Sequence, residues 1–301
     1  MTLPPEVRRA IDWGELAPLR LRAREAAEGL FAGIHRSVLR GAGVEFGGFR
    51  EYVPGDDLRR LDRRSLLRHD RLVVRQFETE TDRALCLLLD ASASMGFRGP
   101  AAPGTKLSFA AVVVAALARV GLANGDPVSL TFVGGADATS VGRTSGGEQF
   151  ERIVDALERA QPSGDMLGHP ASVDTAIQMA TRTTKRGAIV ILLSDLIDLP
   201  EETADRVGSM ATGGRIVVVV QVLDPAEVTF PFVGPVRLKG LEGDCVVETD
   251  ADAARESYLL ALGALVRQWR ESIVRRGGRF VAATTAEAPV AVVRRIVAAV
   301  R

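Results

Sequence analysis

The run LCLLLDASASMG sets a carboxylate, Asp90, directly after an apolar stretch, with hydroxyls at Ser92 and Ser94 immediately beyond it. A carboxylate and two hydroxyls at alternate positions of one loop can turn hard oxygens toward one side of a small cation, leaving its other positions to water. Magnesium favours such a donor set. A second carboxylate is expected from a neighbouring strand, and the apolar residues 189–193 followed by Ser194-Asp195 supply one at the equivalent end. The same residues are also compatible with a strand that closes in an Asx or Ser turn and holds no ion.

Such a site needs strands that end together. Residues 84–89 read as a strand, and the continuous apolar runs 188–193 and 216–222 suit strands covered on both faces. A further strand is expected at 128–133, with helices at 105–123, 150–160, 173–183 and 203–211. Strands alternating with helices predict an α/β fold with a mainly parallel sheet and helices on both faces. In such sheets ligands bind beyond the carboxyl ends of the strands, where Asp90 and Asp195 fall. Residues 236–248 read as an accessory hairpin turning at Glu242-Gly243-Asp244, followed by a long helix over 253–276 that Gly277-Gly278 ends, a strand at 280–283 and a final helix. Before the alternating region, residues 14–40 carry apolar side chains at helical spacing (Leu19, Ala23, Ala26, Leu30, Ile34, Leu39), residues 41–62 are rich in glycine and charge, and 72–77 read as a strand. The chain therefore divides into an N-terminal helical and strand appendage, 1–80, and an α/β domain, 81–301.

With 301 residues, 47% of them hydrophobic, the chain can bury a large core, which excludes disorder throughout. Acidic and basic residues number 38 each, so no net charge draws the molecule to nucleic acid or anionic lipid. The basic run Arg59, Arg60, Arg63, Arg64, Arg68, Arg71 and Arg75 is interleaved with Asp56, Asp57, Asp62 and Asp70 and has no aromatic platform, which describes a solvated, partly paired face. The longest apolar stretches fall short of the roughly 18 residues that span a bilayer, and the charged residues 1–13 lack the apolar run of a signal peptide. Cys86 and Cys245 lie in apolar stretches without ligand or redox spacing and are expected to be buried free thiols, in keeping with a cytoplasmic location. No phosphate loop, dinucleotide fingerprint or zinc pattern is present. Ala91 and Ser92 follow Asp90 where a phosphotransferase would carry a second acid, ASASMG lacks the glycines of a nucleophile elbow, and His35, His69 and His169 stand in unrelated contexts. These features predict a protein that is not an enzyme.

The pairing of D-x-S-x-S after one strand with a lone Asp after a later one resembles the metal-ion-dependent adhesion site of von Willebrand factor A domains, which have a Rossmann-like fold. The resemblance implies that Asp90, Ser92, Ser94 and Asp195 hold Mg2+ or Mn2+, and that a partner protein offers an Asp or Glu to the ion. That family adds a loop Thr within a Gly-Thr-Asp pattern, which the segment GDMLGHPASVDTAIQMA lacks. Ser172 and Thr175 are the candidates for its role, with Asp174 as a carboxylate substitute. A second stretch, FREYVPGDDLRRLD, resembles the motif of a bacterial family called domain of unknown function 58: Arg50, Tyr52, Gly55, Asp56, Asp57, Arg59 and Asp62 match, and Arg63 stands where Trp is expected. Its charged residues suit a salt-bridged network tying the appendage to the domain better than they suit catalysis. Members of that family accompany MoxR-type AAA+ ATPases, so the resemblance implies an adaptor of such a machine. The alternatives are a scaffold of the same fold without metal and a magnesium-dependent phosphohydrolase.

Overall fold

The structure, a computed structural model, describes residues 40–51, 73–78, 84–135, 138–166, 170–200, 202–243 and 245–300. Strand β1 (Arg40–Glu51) pairs antiparallel with β2 (Val73–Glu78) in a sheet of their own. The first part of the glycine- and charge-rich stretch, through Glu51, is strand. Its register slips between Arg40 and Glu45 and again between Phe46 and Gly48, so glycines that would weaken a regular strand fall at irregularities. Arg50 lies in β1 opposite Val74. The helix expected before residue 40, the motif residues Tyr52, Gly55, Asp56, Asp57, Arg59 and Asp62, and the histidines lie outside the described residues.

From residue 84 strands and helices alternate. In chain order they are β3 (Leu85–Asp90), α1 (Lys106–Ala123), β4 (Val128–Val133), β5 (Val141–Thr144), α2 (Gly147–Arg159), α3 (Pro170–Thr183), β6 (Ile189–Ser194), α4 (Thr203–Thr212) and β7 (Ile216–Leu223). A short helix α5 (Pro225–Thr229), the hairpin β8 (Pro235–Lys239) and β9 (Val246–Asp250), the long helix α6 (Ala251–Arg275), β10 (Arg279–Thr284) and α7 (Pro289–Val300) complete the chain. The six-stranded sheet runs β10-β7-β6-β3-β4-β5, with β5 alone antiparallel. This is the doubly wound order, and its reversal point lies between β3 and β6.

Side-chain alternation along the central strands builds two cores. Leu85, Leu87 and Leu89 face one way, onto α1, α2 and α7, while Cys86 and Leu88 face the other, onto α3, α4 and α6. Helix α1 meets the length and hydropathy of a membrane span, yet it is buried inside the domain, which explains its uniformly apolar sequence. The hairpin appears where expected, but it stands outside both cores. Cys245 on it is accordingly exposed, against the expectation of a buried thiol, whereas Cys86 on β3 is buried.

Candidate metal centre

Each central strand delivers a carboxylate to the same edge of the sheet. Asp90 is the last residue of β3, Asp195 follows β6, and Asp224 follows β7. All are buried, and β3 and β6 are hydrogen-bonded neighbours, with Leu89 opposite Leu193. The reversal point of the sheet thus brings Asp90 and Asp195 together, as their positions in the sequence predicted.

Asp90 is met by neutral donors. The Ser194 hydroxyl donates to its Oδ2 at 2.5 Å and the Ser92 amide to its Oδ1 at 2.9 Å. Beyond it the chain makes one 3-10 turn, Ala93–Gly96, which turns the hydroxyls of Ser92 and Ser94 to face each other at 2.9 Å. Burial first, and then the negative charge of Asp195, push the Asp90 carboxyl up to about 7, against the pull of its serine partners.

Asp195 has a cation. Lys106, the first residue of α1, is completely buried and donates from Nζ to Asp195 Oδ2 at 2.7 Å and to Glu227 Oε1 at 2.5 Å. A lysine at a helix N-terminus is opposed by the helix dipole and a buried ammonium by desolvation. Burial alone would depress Lys106, yet the two carboxylates overrule it and hold the ammonium above its ordinary range. Glu227 is itself fixed by a capping box on α5, its Oε2 accepting from the Asp224 amide at 2.7 Å. After Asp195, Leu196 and Asp198 adopt left-handed backbone (φ 65° and 58°), which costs a non-glycine residue energy. The tight turn lets the Leu196 and Ile197 amides donate back to Ser194 Oγ and Asp195 Oδ1 at 2.9 and 3.0 Å.

Two further loops frame the Asp90 turn. Gly134, after β4, has φ 71°, and a Cβ there would overlap the Met166 methyl and press on the Ser92 backbone. The 161–166 segment is stitched to the turn by Ser163 N–H donating to the Ala91 carbonyl at 2.9 Å and Ala93 N–H to the Gly164 carbonyl at 3.2 Å. It is therefore Gly164-Asp165-Met166 that lies against the candidate ligands. Ser172 and Thr175, on α3, line a cavity with Gly164, Asp165 and Met166, and the Ser172 hydroxyl points to the Met166 sulfur at 3.7 Å. Asp174 is turned to Arg206 of α4 in an ion pair. From the opposite side, Glu242 at the tip of the β8–β9 hairpin accepts from the Met166 amide at 2.8 Å and from the Ser94 amide at 3.3 Å. Asp198 is pushed up by burial and then by the charges of Glu242, Asp195 and Asp165, so these acids share one field.

Among the described residues no set of three or more His, Cys, Asp or Glu side chains stands at metal-binding spacing. A cation here would rely on hydroxyls and water beside few carboxylates. The donors fit that demand: Asp90 is buried with no cation bonded to it among the described residues, two hydroxyls converge beside it, and every donor is a hard oxygen. The sequence reading did not single out Lys106, Glu227, Ser194, Asp165 or Glu242. Lys106 left a local trace, as a charge opening a mostly apolar helix.

Among solved structures, similar chains include the conserved hypothetical protein BatB of Bacteroides thetaiotaomicron, 19% identical, with 71% of this chain and 96% of that one covered and a TM-score of 0.42. A von Willebrand factor type A protein of Catenulispora acidiphila is 14% identical over 76% of this chain and 44% of its own, with a TM-score of 0.39. Uncharacterized proteins of Mycobacterium tuberculosis and Mycobacterium bovis are 29% identical over 268 residues, 87% of this chain and 82% of theirs. The family described as protein of unknown function DUF58 matches residues 48–264, and the chain belongs to it.

Proposed function

We propose that this protein is a metal-dependent protein-interaction module, not an enzyme. Asp90, Ser92 and Ser94 would hold a Mg2+ or Mn2+ ion, with Asp195 behind them and Asp165, Ser172 or Thr175 in the place of the missing loop Thr. The observation that carries this reading is Asp90 itself: a carboxylate buried at the reversal point of the sheet beside two converging hydroxyls, with the nearby lysine committed elsewhere. When bound, the ion would supply a positive charge that few carboxylates neutralise and that an acidic side chain of a partner can approach. The chain's own residues orient that approach: the Ser92–Ser94 turn fixes the hydroxyls, and Lys106 keeps Asp195 and Glu227 from competing for the ion. A MoxR-type AAA+ ATPase is the partner that family resemblance suggests.

Calorimetric titration of metal-stripped wild type and Asp90→Ala with Mg2+ and Mn2+ tests the reading. Saturable binding to wild type alone supports it; equal binding, or none, to both removes it. A metal-free scaffold is the second reading, favoured by the Lys106–Asp195 ion pair, which already places one positive charge at this edge.

A further inference from the structure

The β8–β9 hairpin buries little of itself. Leu241, Val246 and Val247 are 50%, 41% and 47% exposed, and among the described residues its two strands form a sheet of their own. What the arm does set against the domain is the Glu242 carboxylate, reaching Ser94 across 148 positions of sequence. One carboxylate oxygen takes the amide of Ser94, whose hydroxyl faces that of Ser92, and the other takes the amide of Met166 on the adjoining loop. Glu242 is thereby held against the loop that carries the candidate ligands.

It is also placed among its own charge. Asp165, Asp195 and Asp198 share this edge of the domain with it, as does the Lys106 ammonium, which is bonded to Asp195 and Glu227. An exposed arm has little apolar burial to hold the carboxylate there, and the contacts that do so are two amide hydrogen bonds beside the Ser92–Ser94 turn. A cation beside Ser92 and Ser94 would attract it further.

We infer that Glu242 is an internal ligand of the Asp90 site, the hairpin supplying from within the chain the carboxylate that completes the ion's shell. An acidic partner then binds by taking the place of Glu242, and the arm swings free with its apolar residues. This inference rests on the metal reading of the site.

The test uses Mn2+ with the full chain as wild type, Glu242→Gln and Asp90→Ala. Affinity is read by calorimetry, water bound to the ion by proton relaxation, and the arm by hydrogen exchange at residues 240–247. Because Glu242 lies on an exposed arm, circular dichroism of the Gln variant should match wild type. The expected result is a roughly tenfold or larger loss of Mn2+ affinity in Glu242→Gln, faster relaxation as water replaces the carboxylate, and Mn2+-induced protection of the arm in wild type only. Equal affinity, relaxation and arm exchange in wild type and Glu242→Gln, with binding lost in Asp90→Ala, would overturn the internal ligand and leave the metal site standing. Absence of Mn2+ binding in both wild type and Glu242→Gln would overturn the two together.

Discussion

Asp90 and Asp195 lie at the ends of adjacent parallel strands and are equally closed to water, but they differ in what answers their charge. Asp195 has the ammonium of Lys106 at 2.7 Å; Asp90 has a serine hydroxyl and an amide. The chain answers one carboxylate with a buried cation and the other with neutral donors. The pair shows two ways a fold can keep buried acids at one edge: one is neutralised by a lysine, the other is held by burial and neutral hydrogen-bond donors.

Removing the built-in cation should break this contrast most severely. Lys106→Met strands the buried Asp195 carboxylate and the partly buried Glu227, and a loss of about 3–5 kcal/mol in urea unfolding is expected. A loss below about 1 kcal/mol would mean that the Asp195 half does not depend on its lysine.

Adding a divalent cation comes next. Free Mn2+ at about 100 times its Kd should stabilise wild type by about 2.7 kcal/mol and leave Asp90→Asn unmoved. An equal rise in both proteins would place the ion elsewhere.

Without metal the contrast becomes a pH slope. The folded state holds the Asp90 proton up to about 7 and the unfolded chain only to 3.8, so this contribution to stability is full below 3.8 and lost as pH rises to about 7. Metal-free wild type should therefore lose stability relative to Asp90→Asn across that window and run parallel to it above. Parallel behaviour throughout would show that Asp90 is already ionised at low pH. The smallest effect is expected at Asp174, which is spent on Arg206. Asp174→Asn should change stability by no more than about 1 kcal/mol and leave Mn2+ affinity as it was, whereas a weakened affinity would return Asp174 to the ligand set.

The two halves were also unequally legible in the sequence. β3 and β6 are covered on both faces, so each reads as an apolar run, and Asp90 and Asp195 at their ends declare themselves, whereas Asp224 after β7 was not singled out. Lys106 did not declare itself, because a charge at a helix start ordinarily marks a solvated end. Glu227 and Glu242 reach the site by tertiary approach from distant elements, which no local period records. The same limit explains Cys245, whose apolar neighbours sit on an arm rather than in a core.

Helix α1 begins at Lys106, runs through the middle of one core, and ends at the Asn124-Gly125 turn on the far edge of the sheet. Its 18 residues make a rod of about 27 Å, packed so closely that it cannot flex without opening a void. A displacement of Lys106 would therefore be carried along the rod toward the opposite edge of the sheet.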